Sequence, residues 1–197
     1  MNKPRDRRAE IVRVAAELFA CHGVSSTTVR RIGDAVGVLS GSLYHHFPSK
    51  DAIVHEIVVG YLETLLKRYR AELHEELSPR ERLHALVRVS LQVAETDPHA
   101  TTIYQNELHH LLELPHFGTV RALTADVQQT WADAIEAGRR TGAFRDDIDA
   151  RVFYRFLRDA VWLSVRWHPA EGSYPAGSLA EDCTSLFLDG FATRAAG

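Results

Sequence analysis

Four side chains in the segment RVFYRFLRDAVWLSVRWH carry the most distinctive chemistry in the chain. On a continuous α-helix Arg155, Arg158, Trp162 and Arg166 fall at i, i+3, i+7 and i+11, which sets three guanidiniums and an indole along one side. A guanidinium binds phosphate bidentately and an indole offers a flat stacking face, so the set suits a ligand carrying both a phosphate and a ring. The same spacing also permits Arg155 to pair with Asp159 at i, i+4, with Trp162 and Trp167 as ordinary core. Spacing alone leaves both arrangements open.

A second group lies between Thr28 and Phe47. Two short helices meeting at a Gly-containing turn form a unit whose second helix can enter the major groove of DNA. Here Val29, Ile32 and Val36 make an inward face, Gly37 breaks the helix, and Val38, Leu43 and Phe47 close a small core with Leu18 and Phe19. The outward positions are the candidate DNA contacts. Leu39, Ser40, Gly41 and Ser42 lead the second helix, where small side chains let the backbone approach base edges. Tyr44 and His45 can hydrogen-bond phosphate, Arg30 adds a cation, and the helix N-termini at Thr28 and near Lys50 present free N–H groups. Arg5, Arg7 and Arg8 are expected on a flexible basic arm. The same geometry also occurs as a mere structural corner, and spacing does not separate the two uses.

His109, His110, Glu113 and His116 suggest a metal site, because His109 and Glu113 are one helical turn apart. Pro115 breaks the helix before His116 and no cysteine is near, so no metal is expected and these side chains are read as facing solvent or lining a pocket. There is no phosphate-binding glycine loop, nucleophile elbow or acid–base set, so no catalytic residue and no resident cofactor are expected.

The elements that hold these residues all read as helices. Ile11, Val14, Ala15, Leu18, Phe19 and His22 give an amphipathic helix from about Arg5 to His22, ended by Gly23. Thr27 or Thr28 caps the next. A brief segment from Ser40 to Phe47 stops at Pro48, and Ser49 caps a long helix from Lys50 to about Leu77. Ser78-Pro79, Asp97-Pro98, Leu114-Pro115, Gly142 and the loop from His168 to Gly177 divide the rest into helical lengths. No stretch alternates as a strand does. The expected fold class is all-α with about nine helices: a three-helix head over residues 1–49 and a larger helical domain over residues 50–197.

With 197 residues, 45% of them hydrophobic and 25% charged, the chain can bury a real core. Its net charge of −3 hides an asymmetry: residues 1–50 hold eight Lys and Arg against four Asp and Glu, the remainder 15 against 22. A positive end on an acidic body suits a small module that meets phosphate. The two cysteines, Cys21 and Cys183, form no metal knuckle or disulfide framework. With no signal-peptide core and no apolar run near the roughly 18 residues of a membrane span, a cytoplasmic protein without membrane contact is expected.

The run TTVRRIGDAVGVLSGSLYHHFPSKDAI resembles the signature of TetR/AcrR-type repressors, a T-V-x-x-I-A-x-x-A-G-V helix followed by S-x-G-x-L-Y-x-H-F and an S-K-E/D helix start. It departs in having Gly33 where the family usually has Ala, which lowers helix propensity and is expected to matter little, and in Leu39-Ser40-Gly41, where sequence preference is set. The resemblance implies a homodimer on palindromic operator DNA, with the last helices pairing the subunits and an effector pocket in each. Leu179, Cys183, Leu186, Phe187 and Phe191 have the helical spacing such a four-helix interface needs. SGSLYHHF, IYQNE and YRFLRDAVWLSVRW together resemble the actinobacterial KstR-type regulators of cholesterol catabolism, in particular the CoA-thioester-responsive kind. That resemblance implies an acyl-CoA thioester from sterol ring degradation as effector, with Arg158 and Trp162 as its contacts and Tyr104 as a further one. The alternatives are a regulator answering another hydrophobic ligand, a drug or a fatty acyl-CoA, and an acyl-CoA-binding enzyme.

Overall fold

The computed structural model describes residues 4–114, 116–167 and 174–190, with side chains from Arg7 onward other than Val165. Among the described residues nine α-helices follow one another without a strand: α1 (Pro4–His22), α2 (Val29–Val36), α3 (Ser40–Tyr44), α4 (Lys50–Glu72), α5 (Pro79–Thr96), α6 (Pro98–Glu113), α7 (Gly118–Arg140), α8 (Ala150–Trp162) and α9 (Ala176–Asp189). A short 3-10 helix, Leu163–Arg166, continues α8. The all-helical expectation holds, and the breakers at Pro79, Pro98 and Gly142 fall at helix boundaries.

The chain packs as two compact units, one made by the chain up to Glu63 with Asp97–Thr124, the other by Thr64–Thr96 with the chain from Ala125 on. In the first, α1 packs on α2 and α6. Ile11, Ala15 and Phe19 of α1, Ile32 and Val36 of α2, and Leu43 and Phe47 are buried together with Ile53 and Ile57 of α4. Val29, Val38 and Leu18, expected inside, are only half-buried. Tyr61 of α4 meets Tyr104 of α6 at 5.3 Å between ring centroids, and Phe117 lies against the rings of His55 and His116.

The second unit is built around α5, which buries most of its circumference and keeps Arg80, His84, Arg88 and Gln92 along one remaining stripe. Its start is fixed by a reciprocal cap: Ser78 N–H donates to Glu81 Oε2 at 2.9 Å, Glu81 N–H donates to Ser78 Oγ at 3.3 Å, and Pro79 occupies the first turn. The helix expected to run to Leu77 stops at Glu72. The residues beyond it include exposed His74, Glu75 and Glu76, which have no apolar face to bury, and the His74 carbonyl accepts from Arg82 Nη2 at 3.0 Å. The continuous helix that would align Arg155, Arg158, Trp162 and Arg166 tightens into the 3-10 turn after Trp162, where Ser164 Oγ donates to the Val161 carbonyl and competes with the α-helical ladder. Trp167, read from spacing as possible core, is 63% exposed.

Val152, Phe156 and Leu163 on α8 and its continuation, and Leu186 on α9, are large apolar side chains facing solvent. Phe191, which the interface pattern included, lies outside the described residues.

Candidate nucleic-acid interface and effector region

The Thr28–Phe47 stretch folds as its residues dictate. Thr28 takes an extended backbone and its Oγ1 accepts from Arg31 N–H at 3.2 Å, capping α2. Gly37 ends the helix at φ 74°, a left-handed conformation that most residues reach only with strain, and Val38 N–H closes the turn on the Gly33 carbonyl at 2.9 Å. Gly33 does more than the sequence suggested. A Cβ there would lie 2.9 Å from the Val38 carbonyl oxygen and within 4 Å of Ser40 backbone, so its absence lets α2 sit against the entry to α3.

α3 is anchored by buried Leu43 and Phe47, while Leu39 (81% exposed), Gly41, Ser42, Tyr44 and His45 face solvent and Ser40 is half-buried. Arg30 is exposed, its guanidinium 3.9 Å from Asp34. Ser49 caps α4, with Oγ accepting from Ala52 N–H at 3.1 Å. Lys50 lies at the start of α4, but its ammonium already donates to the Val24 carbonyl at 2.6 Å, tying α4 to the α1–α2 connection and leaving two hydrogens for another acceptor.

The basic arm is corrected. Pro4–His22 is helical, Arg7 pairs with Glu10 at 3.0 Å, and Arg8 stacks 4.0 Å over the Phe47 ring while donating to the His46 carbonyl and to Glu56. Arg8 thus joins α1, the end of the recognition segment and α4, a role that local sequence could not show because its partners are 38 and 48 residues away. The side chain of Arg5 lies outside the described residues.

In the second unit Trp162 is 4% exposed and lies 5.7 Å from Trp131, whose ring also meets Tyr154 at 6.0 Å. Arg158 is half-buried and its guanidinium is held by Asp159 at 2.7 Å, so it is Arg158, one residue before Asp159, that makes the ion pair spacing had offered to Arg155. Arg155 and Arg166 are exposed, Arg166 on the 3-10 turn, so the helical line drawn through all four residues ends at Trp162. Tyr104 belongs to the first unit, paired with Tyr61. Trp131 and the Tyr69 hydroxyl that accepts from its Nε1–H at 3.1 Å were missed, since both are separated from Trp162 by long stretches of chain.

Of the histidine group, His109 Nε2 lies 3.5 Å from Glu113 and His116 turns instead to Asp51 at 3.8 Å. Among the described residues no three His, Cys, Asp or Glu side chains converge on a point.

Two family descriptions match this architecture: bacterial regulatory proteins of the tetR family over residues 11–57, and the tetracyclin repressor-like C-terminal domain over residues 76–191. The chain belongs to the TetR family. The HTH-type transcriptional repressor KstR2 of Rhodococcus jostii is 42% identical over 187 residues, spanning 95% of this TetR-family chain and 92% of that protein. The structure of the ketosteroid transcriptional regulator KstR2 of Mycobacterium tuberculosis superposes with a TM-score of 0.86 at 36% identity, covering 98% of this chain and 97% of that one. AibR, crystallised with isovaleryl coenzyme A and operator DNA, shares the TetR fold with a TM-score of 0.80 at 19% identity, covering 94% and 100% of the two chains. These relatives make the chain a transcription regulator and not an enzyme. Among the described residues no helix is long and apolar enough to cross a membrane.

Proposed function

We propose that this chain is a homodimeric cytoplasmic repressor that holds palindromic operator DNA through residues 1–49 and releases it when an acyl-CoA thioester from sterol ring degradation binds within residues 50–197. The observation that carries the DNA reading is the head itself: Leu43 and Phe47 fix the recognition helix in the core while Leu39, Gly41, Ser42, Tyr44 and His45 remain exposed. Thr28, Arg30, Ser40 and Lys50 complete the proposed contact set. In a dimer two such helices enter successive major grooves roughly 34–36 Å apart. The exposed row of Val152, Phe156, Leu163 and Leu186 supplies an apolar face for the partner subunit, which a monomer would leave wet.

The effector reading rests on the KstR2 likeness, supported by AibR, a protein of the same fold bound to an acyl-CoA. Arg158 and Trp162 are the proposed contacts, with Arg155 and Arg166 of the same unit as further candidates. Arg158 can exchange its surface pair with Asp159 for a phosphate at little cost, because exposed ion pairs contribute little. To shift operator occupancy from 99:1 to 1:99 the ligand must prefer the released state by about 5.5 kcal/mol.

The test is a mobility-shift titration on the chain's own upstream region. The dimer should retard the fragment, and a sterol-ring acyl-CoA thioester should release it where free CoA and the free acid do not. Tyr44→Phe should weaken binding to all fragments alike, and Arg158→Met or Trp162→Leu should preserve DNA binding while raising the thioester concentration needed. Indifference to every fragment at low salt would remove the DNA reading; release by fatty acyl-CoA alone would replace the sterol effector.

A further inference from the structure

The second unit contains a cavity of about 640 Å³ lined by none of Arg155, Arg158, Trp162 or Arg166. Its volume is that of a small-molecule site. Ile135 on α7, Phe144 and Ile148 in the connection to α8, Phe153 on α8 and Phe187 on α9 give it an apolar wall, with Phe153 and Phe187 edge to face at 6.0 Å. The wall is held in place. Phe144 N–H donates to the Gly138 carbonyl at 3.0 Å, and its ring fills the space beside Gly138 that any Cβ would need.

Arg80, Arg139 and Arg145 reach this cavity from three separate segments, and among the described residues Asp189 is its one lining carboxylate, so the described positive charges exceed the negative by two. The three guanidiniums are not equally committed. Arg80 is locked to Asp189 by two bonds of 3.0 and 2.6 Å that join the start of α5 to the end of α9. Arg139 donates to the Asp146 carbonyl at 3.2 Å and lies 3.6 Å from Glu136, one turn earlier on its own helix. Arg145 pairs with Asp147, two residues on, likewise through two bonds, from Nε at 2.6 Å and from Nη2, but this pair is local and its partners are more exposed than Arg80 and Asp189. Local exposed pairs contribute little and are readily exchanged, whereas a planar carboxylate presented to two guanidiniums gains charge-assisted, bidentate bonds.

We propose that this cavity binds an apolar molecule bearing a single carboxylate, its head group taken by Arg139 and Arg145 and its body held against Phe144, Ile148 and Phe153. Two exchangeable cations match one carboxylate, and beyond the paired Arg80 and Asp189 the rest of the described lining is apolar, which disfavours a polyanion. The site shares no residue with the proposed acyl-CoA contacts.

Isothermal titration of the full-length protein with decanoate, and with decanol as the uncharged control, tests it. Decanoate should bind at one site per chain, with decanol weaker by about tenfold or more, the loss expected when charge-assisted hydrogen bonds are removed. Arg139→Met and Arg145→Met should each weaken decanoate by about tenfold and leave decanol unchanged, while Trp162→Leu and Arg158→Met should leave decanoate binding intact. Arg145 is exposed, so its variant keeps the fold. Absence of decanoate binding, equal binding of decanol, or loss through the Trp162 and Arg158 variants but not the Arg139 and Arg145 variants would overturn the proposal. Operator release by a CoA thioester is read in a separate assay and stands or falls independently.

Discussion

Replacing Tyr69 by Phe removes one oxygen from the interior of the second unit while keeping the ring that fills its place. That oxygen is the middle of a buried relay: Trp131 Nε1–H donates to Tyr69 Oη at 3.1 Å, Tyr69 Oη and Ser90 Oγ lie 2.5 Å apart, and Ser90 Oγ–H donates to the Leu86 carbonyl at 2.7 Å. Because the Ser90 hydrogen goes to Leu86, the Tyr69 hydroxyl supplies the hydrogen between the two oxygens. Trp131 and Ser90 are fully buried and Tyr69 is 1% exposed, so water does not replace the lost group. In the Phe variant the Trp131 N–H has no acceptor, a cost of about 1–3 kcal/mol. Shape is nearly conserved, so the cavity contribution is small. A loss near 2 kcal/mol corresponds to a Tm lower by about 4–8 °C in a chain of this size. Urea denaturation followed by circular dichroism should show a lower midpoint with an unchanged slope. Ser90→Ala should cost a similar amount by removing the acceptor of Tyr69. The double variant should lose less than the two combined, with a coupling of about 1 kcal/mol. Additive losses, or a Tyr69→Phe midpoint equal to wild type, would refute the relay. Trp131 also packs against Trp162, so the variant should respond to effector less sharply.

Gly138→Ala would place a Cβ 2.1 Å from the Phe144 ring; in the last turn of α7 the helix-propensity gain stays below about 1 kcal/mol, while expelling a half-buried Phe costs about 1–1.5 kcal/mol, half of the full-burial value. The variant should therefore melt at lower temperature, and a higher Tm would show that Phe144 is not seated there. His84 has its pKa lowered first by burial, then by Arg88 and Arg80, with Glu181 opposing. The unfolded chain takes up this proton first, so stability should fall as pH drops below about 6.5. Tm against pH between 7 and 5 should be shallower in His84→Gln, and an unchanged slope would exclude the effect. Burial raises the Cys183 thiol to about 11, whereas Cys21 is exposed, so iodoacetamide at pH 8 should label Cys21 first by mass spectrometry; equal rates would contradict the burial of Cys183.

The sequence was most informative where the cause of structure is local. Thr28 and Ser49 cap the helices they were expected to cap, and Pro79 and Pro98 open helices because the chain before a proline cannot continue one. Which positions of the recognition segment point inward and outward was legible for the same reason: they follow from the period of a short helix, so Leu43 is buried and Tyr44 exposed. What was not legible depends on partners far along the chain. Nothing near Arg8 announces that its guanidinium will lie over Phe47 and so leave no flexible arm there. The end of α-helical spacing at Trp162 has a nearby cause, the Ser164 hydroxyl on the Val161 carbonyl, but the serine by itself does not announce that bond, and a line through Arg155 and Arg166 fails once the last turn tightens.

Gly33 shows how a local reading can be right about cost and incomplete about role. As an interior helix residue it lowers helix propensity relative to Ala, by about 1 kcal/mol. Its neighbours in space, however, are the Val38 carbonyl and the backbone of Ser40, the entry to the recognition helix. The other departure from the family pattern is Leu39-Ser40-Gly41, in that same entry. The two departures, separate in the sequence, are therefore one feature of the fold. A methyl group on residue 33 would push directly on the backbone that carries Leu39 and Ser40 toward solvent. The small residue inside α2 and the unusual residues leading α3 meet where the chain enters α3, so the proposed role of Leu39-Ser40-Gly41 in sequence preference extends to Gly33.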